Sequence, residues 1–484
     1  MARTPTPSRD YRLTGPGARL AYENGLADAV WYSPPVDAER MRQLMVRSNG
    51  RAARDVALWL GLLGVAGVLA FWSLGTWWAI PAFAAYGALY GSSADPRWHE
   101  CGHGTAFRSR AANDVVYSLA SFMMLREPTV WRWSHFRHHS DTIIVGRDPE
   151  ILFMRPFRLR TVVLNLVWLL NGPRLVWGAV RHAAGRVDDD VRDFVPRDEI
   201  RRVVWEARAF VAVYVGVAVW CLATWSIVPA LFIVLPSFYG VWLLWIFSTT
   251  QHAGLREDVL DHRLNTRTVY MNPIARFLYL NMNYHLEHHL FPGVPYHALP
   301  ALHEEVKAYL PPPKRSIPEA FGEILTALRH QRKDPDWELP LPELPAIATP
   351  ALVSNEPIFA EKVDYDDDSA AHIDLGPDDL LEPGQIRGVD IDGAPYVLCR
   401  PSGVTYALVD GICTHARAPL AEGLLVDGCI ECQRHNGRFD VFTGEAVRKP
   451  ARKPLGSHPV RVVGGRIVAH VRTPAPLDSG AAPA

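Results

Sequence analysis

The chain is poor in cysteine and has no excess of positive charge. Six cysteines in 484 residues, at positions 101, 221, 399, 413, 429 and 432, are too few and too irregularly spaced for a secreted disulfide scaffold. No segment has the form of a signal peptide. A net charge of −1 lacks the basic surplus of a nucleic-acid binder, so no nucleic-acid partner is expected. No G-x-G-x-x-G follows a strand-like run, so no flavin or nicotinamide domain is expected within the chain. The glycines at 61, 64 and 67 lie inside an apolar run and read as helix packing. The most telling absence is local. From Val56 to Ala94, and again from Ala209 to Leu255, there is no Asp, Glu, Lys or Arg.

The first of these windows is 39 residues long, and one membrane span needs about 20. A break at Leu74-Gly75-Thr76 divides it into spans of roughly 56–73 and 76–94. The second window breaks near Ser226 and Pro229 and reads as another hairpin of two spans. Thr161–Leu170 is apolar but short, and fits an interfacial or re-entrant helix. The connections inside both hairpins lack Lys and Arg. Arg40, Arg42, Arg47, Arg51 and Arg54 precede the first hairpin, and Arg97, Arg108, Arg110, Arg126, Arg132 and Arg137 follow it. The positive-inside rule therefore predicts an integral protein of the cytoplasmic membrane, with the N-terminus, the central loop and the C-terminal portion in the cytoplasm. Residues 1–49 form a polar N-terminal segment, of which Met1 to Pro16 reads as a flexible tail, and 50–330 form an α-helical membrane domain of about four spans plus cytoplasmic helices.

Histidines cluster just outside these windows. His99-Glu-Cys-Gly-His103 follows the first hairpin, and His135-Phe-Arg-His138-His139 precedes the second. His252 closes the fourth predicted span, and His285-Leu-Glu-His288-His289 follows it. Residues three and four apart share a helix face, so each box can aim two or three imidazoles at one point. Paired spans bring every set out on one side of the membrane. Nine nitrogen donors suit two metal ions better than one, although imidazole alone does not choose among Fe, Zn, Cu and Ni. His297 and His303 lack box spacing and read as supporting or surface residues. Cys101 points away from the His99/His103 face and reads as packing.

The boxes HECGH, HFRHH and HLEHH, with the run Leu-Phe-Pro-Gly-Val-Pro-Tyr-His after the last, resemble the membrane fatty acid desaturase and hydroxylase superfamily over roughly residues 50–310. The resemblance implies a non-haem di-iron centre that activates O2 and attacks an unactivated C–H bond. Its ligands would be His99, His103, His135, His138, His139, His252, His285, His288 and His289, with no catalytic residue named beyond them. Glu100 stands where many members have Asp, and is expected to orient an imidazole.

After Gln331 the composition changes. Residues 331–371 are rich in proline and carry Asp364, Asp366, Asp367 and Asp368, which reads as a solvated linker. Residues 372–473 show short β-rich runs with glycine turns, a small all-β domain, and 474–484 form a tail. Within the β domain lie Cys413-Thr-His415 and, after 16 residues, Cys432-Gln-Arg-His435. A Cys2His2 set suits zinc in principle. C-x-H with C-x-x-H across this gap is, however, the Rieske arrangement, in which two thiolates hold one iron and two imidazoles the other. The flanks Ala418-Pro-Leu-Ala-Glu-Gly and Gly437-Arg-Phe-Asp-Val strengthen the similarity to bacterial Rieske ferredoxins. The disulfide of the high-potential respiratory type is not expected, because its positions correspond to Ala418 and Arg434. Asn436 stands where glycine is usual, and Cys399 and Cys429 read as strand residues.

Together the two halves point to an O2-dependent oxidoreductase carrying a [2Fe–2S] cluster and two non-haem irons. It would desaturate a fatty acyl or membrane-lipid chain with electrons relayed by its own Rieske domain and supplied by a separate NAD(P)H-dependent reductase. The alternative is hydroxylation, including oxidative demethylation, of an alkyl or small-molecule substrate at the same site. The run from Val130 through Glu150 is also similar to hydrocarbon-oxygenase-like proteins linked to rhizopine catabolism.

Overall fold

The computed structural model describes residues 9–27, 31–157, 159–340, 344, 358–359, 362–363, 371–415, 418–433 and 437–471. The chain divides into a mainly helical unit, residues 1–34 and 43–346, and a mainly β unit, residues 347–484 together with 35–42.

Among the described residues, two helices of the first unit are long and apolar enough to cross a bilayer. Asn49–Trp72 has 24 residues and a mean hydropathy of 1.8, and Arg197–Thr224 has 28 residues and a mean hydropathy of 1.7. At 1.5 Å per residue the first is about 36 Å long, enough for a hydrocarbon core of about 30 Å. Only 17% of each apolar window is buried within the protein, which does not fit the core helix of a soluble fold. Trp72, Trp77, Trp78 and Trp225 stand exposed at the far ends of these helices, where interfacial aromatics sit at the edge of a membrane.

The other two predicted spans are not single long helices. The stretch expected to span 76–94 is α-helical over Ala79–Gly87, widens into a π turn over Ala88–Ser92, and continues as Ala94–His103. The stretch 229–252 is broken into Val228–Ile233, Pro236–Tyr239 and Trp242–His252. Proline is the physical reason for the break. Pro236 has no N–H to give the carbonyl of Phe232. Tyr86 Oη donates to that carbonyl instead, at 2.8 Å, and Tyr90 Oη donates to Ile233 O at 2.6 Å. The two broken limbs meet on glycine. A Cβ on Gly240 would lie 2.1 Å from Gly87 O, and Ser92 Oγ donates to Gly240 O at 2.6 Å. Close backbone contact thus replaces the side-chain layer of an ordinary helix crossing.

The N-terminal stretch is anchored from residue 9 onward. Tyr11 Oη donates to Glu257 Oε1 at 2.7 Å and accepts from Arg155 N at 2.8 Å, while Arg9 pairs with Glu257 at 2.8 Å. Trp31 Nε1 donates to Ser140 O at the end of the second-box helix. The flexible tail expected over Met1 to Pro16 is not seen from Arg9 onward. Residues 1–8 lie outside the described residues.

The second unit is all-β. One sheet orders Ile358–Phe359, Ile386–Ile391, Ala394–Ser402, Thr405–Asp410 and Ser457–His458. A second orders Ala446–Arg448, Arg438–Asp440, Cys429–Glu431 and Leu424–Val426. A third joins Val460–Val463, Arg466–Val471, Ala371–Pro377 and Lys362–Val363. Val397, Leu420, Ile430, Phe439 and Val441 form a core with Cys413 and Cys432 at its edge. Cys399 and Cys429 lie in strands, as expected.

Candidate metal centres

Each histidine box is carried by a helix that ends soon after it. Ala94–His103 stops at Gly104, whose φ of 71° is left-handed and suits a residue without a Cβ. Pro128–Ser140 opens on a proline, and the six-residue helix His285–Leu290 carries the third box. His252 is the last residue of Trp242–His252. The nine histidines named from the sequence all lie together, eight of them buried and His252 partly so.

They fall into two groups, each with its donor atoms within 4.8 Å of one another: His99, His103, His135, His139 and His288 in one, and His138, His252, His285 and His289 in the other. The division crosses the boxes. The second box gives its i, i+4 pair to the first group and His138 to the second. The third box does the reverse, giving His285 and His289 to the second group and His288 to the first.

The donor geometry fits metal ions better than hydrogen bonds. His135 Nε2 lies 3.1 Å from His103 Nε2 and 3.1 Å from His139 Nε2, which is 3.2 Å from His288 Nε2. In the other group His285 Nε2 is 3.1 Å from both His252 Nε2 and His289 Nε2. An imidazole nitrogen has one in-plane direction in which to donate or accept, so it cannot serve two such neighbours. One cation at about 2.0–2.1 Å from each nitrogen serves all of them. His99 is buried with neither ring nitrogen hydrogen-bonded. Burial, reinforced by neighbouring imidazoles, holds His99, His139, His285, His288 and His289 well below the usual histidine range. They are therefore neutral, the form that binds metals.

The far sides of the rings are held by groups that the box spacing does not reveal. His138 Nδ1 donates to Asp148 Oδ2 at 2.9 Å, His135 Nδ1 to Glu150 Oε2 at 3.2 Å and His252 Nδ1 to Asn265 O at 2.8 Å. His289 Nδ1 lies 3.2 Å from Thr142 Oγ1, and His285 Nδ1 lies 3.2 Å from the Gln251 amide. Such contacts fix the tautomer that leaves Nε2 free to ligate. Burial would raise Glu150, but His135 overrides it and brings the carboxyl down to about 2. Asp148 and Glu150 lie in Gly146-Arg-Asp-Pro-Glu, and that run of charge beside a box was the signal available in the sequence.

Glu100 does not orient an imidazole. It sits about 100° around the helix from His99, and its Oε1 accepts from Tyr296 N at 3.1 Å, tying the first box to the Pro-Tyr-His run. His303 is buried and supporting: its Nδ1 contacts Glu287 Oε1 at 2.5 Å and its Nε2 lies 2.9 Å from Tyr270 Oη. Cys101 is buried packing.

In the β unit Cys413 and Cys432 are each 1% exposed, and His415 is half-buried beside the first. The two loops close alike. Cys413 N donates to Ala418 O and Cys432 N to Gly437 O, both at 2.9 Å. Each cysteine thus heads a turn closed by the residue five positions on. His435, with Arg434 and Asn436, lies outside the described residues.

Comparison with known proteins gives two family matches, fatty acid desaturase over residues 75–319 and the Rieske [2Fe–2S] domain over 372–459. The β unit is similar to the ferredoxin component of a naphthalene 1,2-dioxygenase system from Pseudomonas aeruginosa, 38% identical over 18% of this chain and 84% of the relative. It is also similar to the ferredoxin component of a p-cumate 2,3-dioxygenase system from Pseudomonas putida, 41% identical over 19% of this chain and 80% of the relative. Among solved structures, the ferredoxin of carbazole 1,9a-dioxygenase from Nocardioides aromaticivorans IC177 is 34% identical, covering 19% of this chain and 90% of that one, with a TM-score of 0.19.

Proposed function

Because the chain belongs to the fatty acid desaturase family and ends in a Rieske domain, we propose that it is a membrane desaturase that draws electrons for its di-iron centre from its own C-terminal cluster. The observation that carries this reading is the convergence of nine imidazoles into two groups in a chain that also holds paired Rieske loops. The ligands of one iron are His99, His103, His135, His139 and His288. Those of the other are His138, His252, His285 and His289. Cys413, His415, Cys432 and His435 hold the [2Fe–2S] cluster.

When bound, the iron pair supplies the oxidising power to use O2 against an unactivated C–H bond. The protein's own groups prepare for that. Asp148, Glu150 and the Asn265 carbonyl keep Nδ1 protonated on three rings, so each presents Nε2. A cavity of about 340 Å³ is lined by His99, His135, His138, His252 and His285. Ile143, Leu244, Trp245 and Trp131 also line it, an apolar wall that would keep water from the place where a substrate carbon meets the site.

The two long apolar helices support a place in a membrane, and by the positive-inside rule this would be the cytoplasmic membrane, with the histidines and the Rieske domain on the arginine-rich cytoplasmic side. A separate NAD(P)H-dependent reductase reduces the cluster. The ferredoxin relatives are components of oxygenase systems, so hydroxylation is the second reading. Incubating the full chain with a ferredoxin reductase, NADH, O2 and acyl substrates tests both. A product lacking two hydrogen atoms supports desaturation, and a product with one added oxygen atom establishes hydroxylation.

A further inference from the structure

The cavity that reaches the histidines also reaches the protein surface, and its charges are distributed unequally. Three cations line it: Arg126, Arg155 and Arg174. Arg126 pairs with Asp95 at 2.6 Å and lies over Trp98 and Trp131, so it belongs to the wall. Arg155 is spent on Leu255 O at 2.5 Å, Pro335 O at 3.1 Å and Glu257 at 3.6 Å. The lining carboxylates are likewise engaged, Glu150 by His135 and Glu257 by Arg9. Arg174 alone among the described lining cations has no hydrogen-bond or ionic partner, and it is exposed.

Its place on the fold shows what it faces. Arg174 lies in the amphipathic helix Asn171–Ala183, which buries Gly172, Ala179 and His182. The segment from Leu166 to Trp177 does two things at once. Trp168, Asn171, Arg174 and Leu175 line the cavity, while Leu169 and Trp177 are 57% and 63% exposed. Exposed apolar side chains on the same segment that lines the cavity suit the boundary between a bilayer and water, where arginine keeps its charge in the aqueous layer and its stem on apolar surface.

We propose that Arg174 is a specificity-determining residue that binds an anionic head group, a carboxylate or phosphate, on a substrate whose apolar body extends inward to the histidines. This rests on the desaturase reading of the same cavity and goes beyond it by fixing the charge of the head. Neutral esters lack the charge that Arg174 would meet and cationic amphiphiles would be repelled by it, while Asp95 and Glu257 are already held in ion pairs within the wall. Guanidinium is suited to the role, since it meets carboxylate or phosphate with two parallel donors and stays charged at any working pH.

The test is equilibrium binding to the full-length protein in phosphatidylcholine nanodiscs, without O2 or reductase, using three radiolabelled eight-carbon probes: octanoate, octan-1-ol and octyltrimethylammonium. Empty discs give the partition background. Octanoate is expected to bind about fivefold more tightly than octanol, the worth of one partly exposed ion pair, and the ammonium probe more weakly than either. Arg174→Gln is expected to bring octanoate to the octanol value, with Arg174→Lys recovering part of the difference. Iron content and the Rieske EPR signal should not change. Equal binding of octanoate and octanol, or a preference that survives Arg174→Gln, overturns the proposal. A second arm adds about 30 mol% phosphatidylglycerol. If octanoate shows no preference in either disc, and the wild type but not the glutamine variant associates more tightly with anionic vesicles, the arginine serves lipid head groups and the substrate assignment fails. If the head-group preference stands while no probe yields product with reductase and O2, the desaturase reading fails and the binding assignment survives.

Discussion

Removing Asp148 should strip iron from one histidine group and leave the other. The Asp148 side chain is fully buried, and its two oxygens accept from three donors. Oδ2 takes His138 Nδ1 at 2.9 Å and Ile143 N at 2.8 Å, and Oδ1 takes Glu150 N at 2.8 Å. Only the first contact is linked to metal, because the other two hold loop backbone whether or not iron is bound. Loss of one charge-assisted bond costs about 1.5–3 kcal/mol. That agrees with the 10–100-fold loss of metal affinity usual when the carboxylate behind a ligating histidine is removed, roughly 1.4–2.8 kcal/mol. His138 belongs to the four-histidine group, so Asp148→Ala should release that group's iron first. The assay is iron per chain after a mild chelator and gel filtration, with the Rieske absorbance as internal standard. Wild type should keep two irons beyond the cluster and Asp148→Ala about one. Glu150→Ala is the reciprocal case, acting through His135 on the five-histidine group. If both variants keep both irons with a wild-type thermal melt, or deplete the same group, the division of ligands argued above is wrong.

Cys432→Ser should abolish the reduced-cluster EPR signal while leaving histidine-bound iron in place, as EPR with total iron on one sample would show. Gly240→Ala should fail to give folded protein, because its Cβ would meet Gly87 O at 2.1 Å, whereas Gly64→Ala meets nothing within 4 Å and should melt like wild type in detergent. Tyr86→Phe leaves the Phe232 carbonyl unpaired beside Pro236 and should cost about 1–3 kcal/mol, read as a lower unfolding midpoint in a denaturant titration in mixed micelles. Loss of that midpoint shift would show that another donor reaches the carbonyl.

Much of the site could be read from the sequence because its chemistry is periodic. The i, i+3, i+4 spacing of HFRHH and HLEHH named six of the nine imidazoles, and all six lie in the two groups. Which group each imidazole joins was not readable, since spacing along one helix says nothing of the facing helix. Asp148 and Glu150 escaped because they sit in a loop, where no period relates them to the rings they hold. The return limbs were misjudged for a related reason. Absence of charge marks a stretch as apolar, and the break near Pro229 was readable, but Pro236 and Gly240 break the stretch again, and the hydroxyls of Tyr86 and Tyr90 that make this break tolerable come from another segment. Glu100 was assigned by analogy with a motif position, whereas its angle around the helix from His99 points it to Tyr296. In the β unit the Cys-x-His and Cys-x-x-His pairs carried the assignment. The similar closure of their loops at Ala418 and Gly437 became visible only in the fold.

The central claim is that one chain holds an iron pair in its histidine boxes together with a Rieske cluster. Mössbauer spectroscopy of the full-length protein enriched in 57Fe, oxidised and then reduced by dithionite, tests it most directly. About four irons per chain are expected in two separate pairs, one becoming the valence-trapped [2Fe–2S] species on reduction and the other behaving as nitrogen-ligated high-spin iron. About two irons per chain, all in the Rieske signal after reconstitution with excess iron, would contradict it.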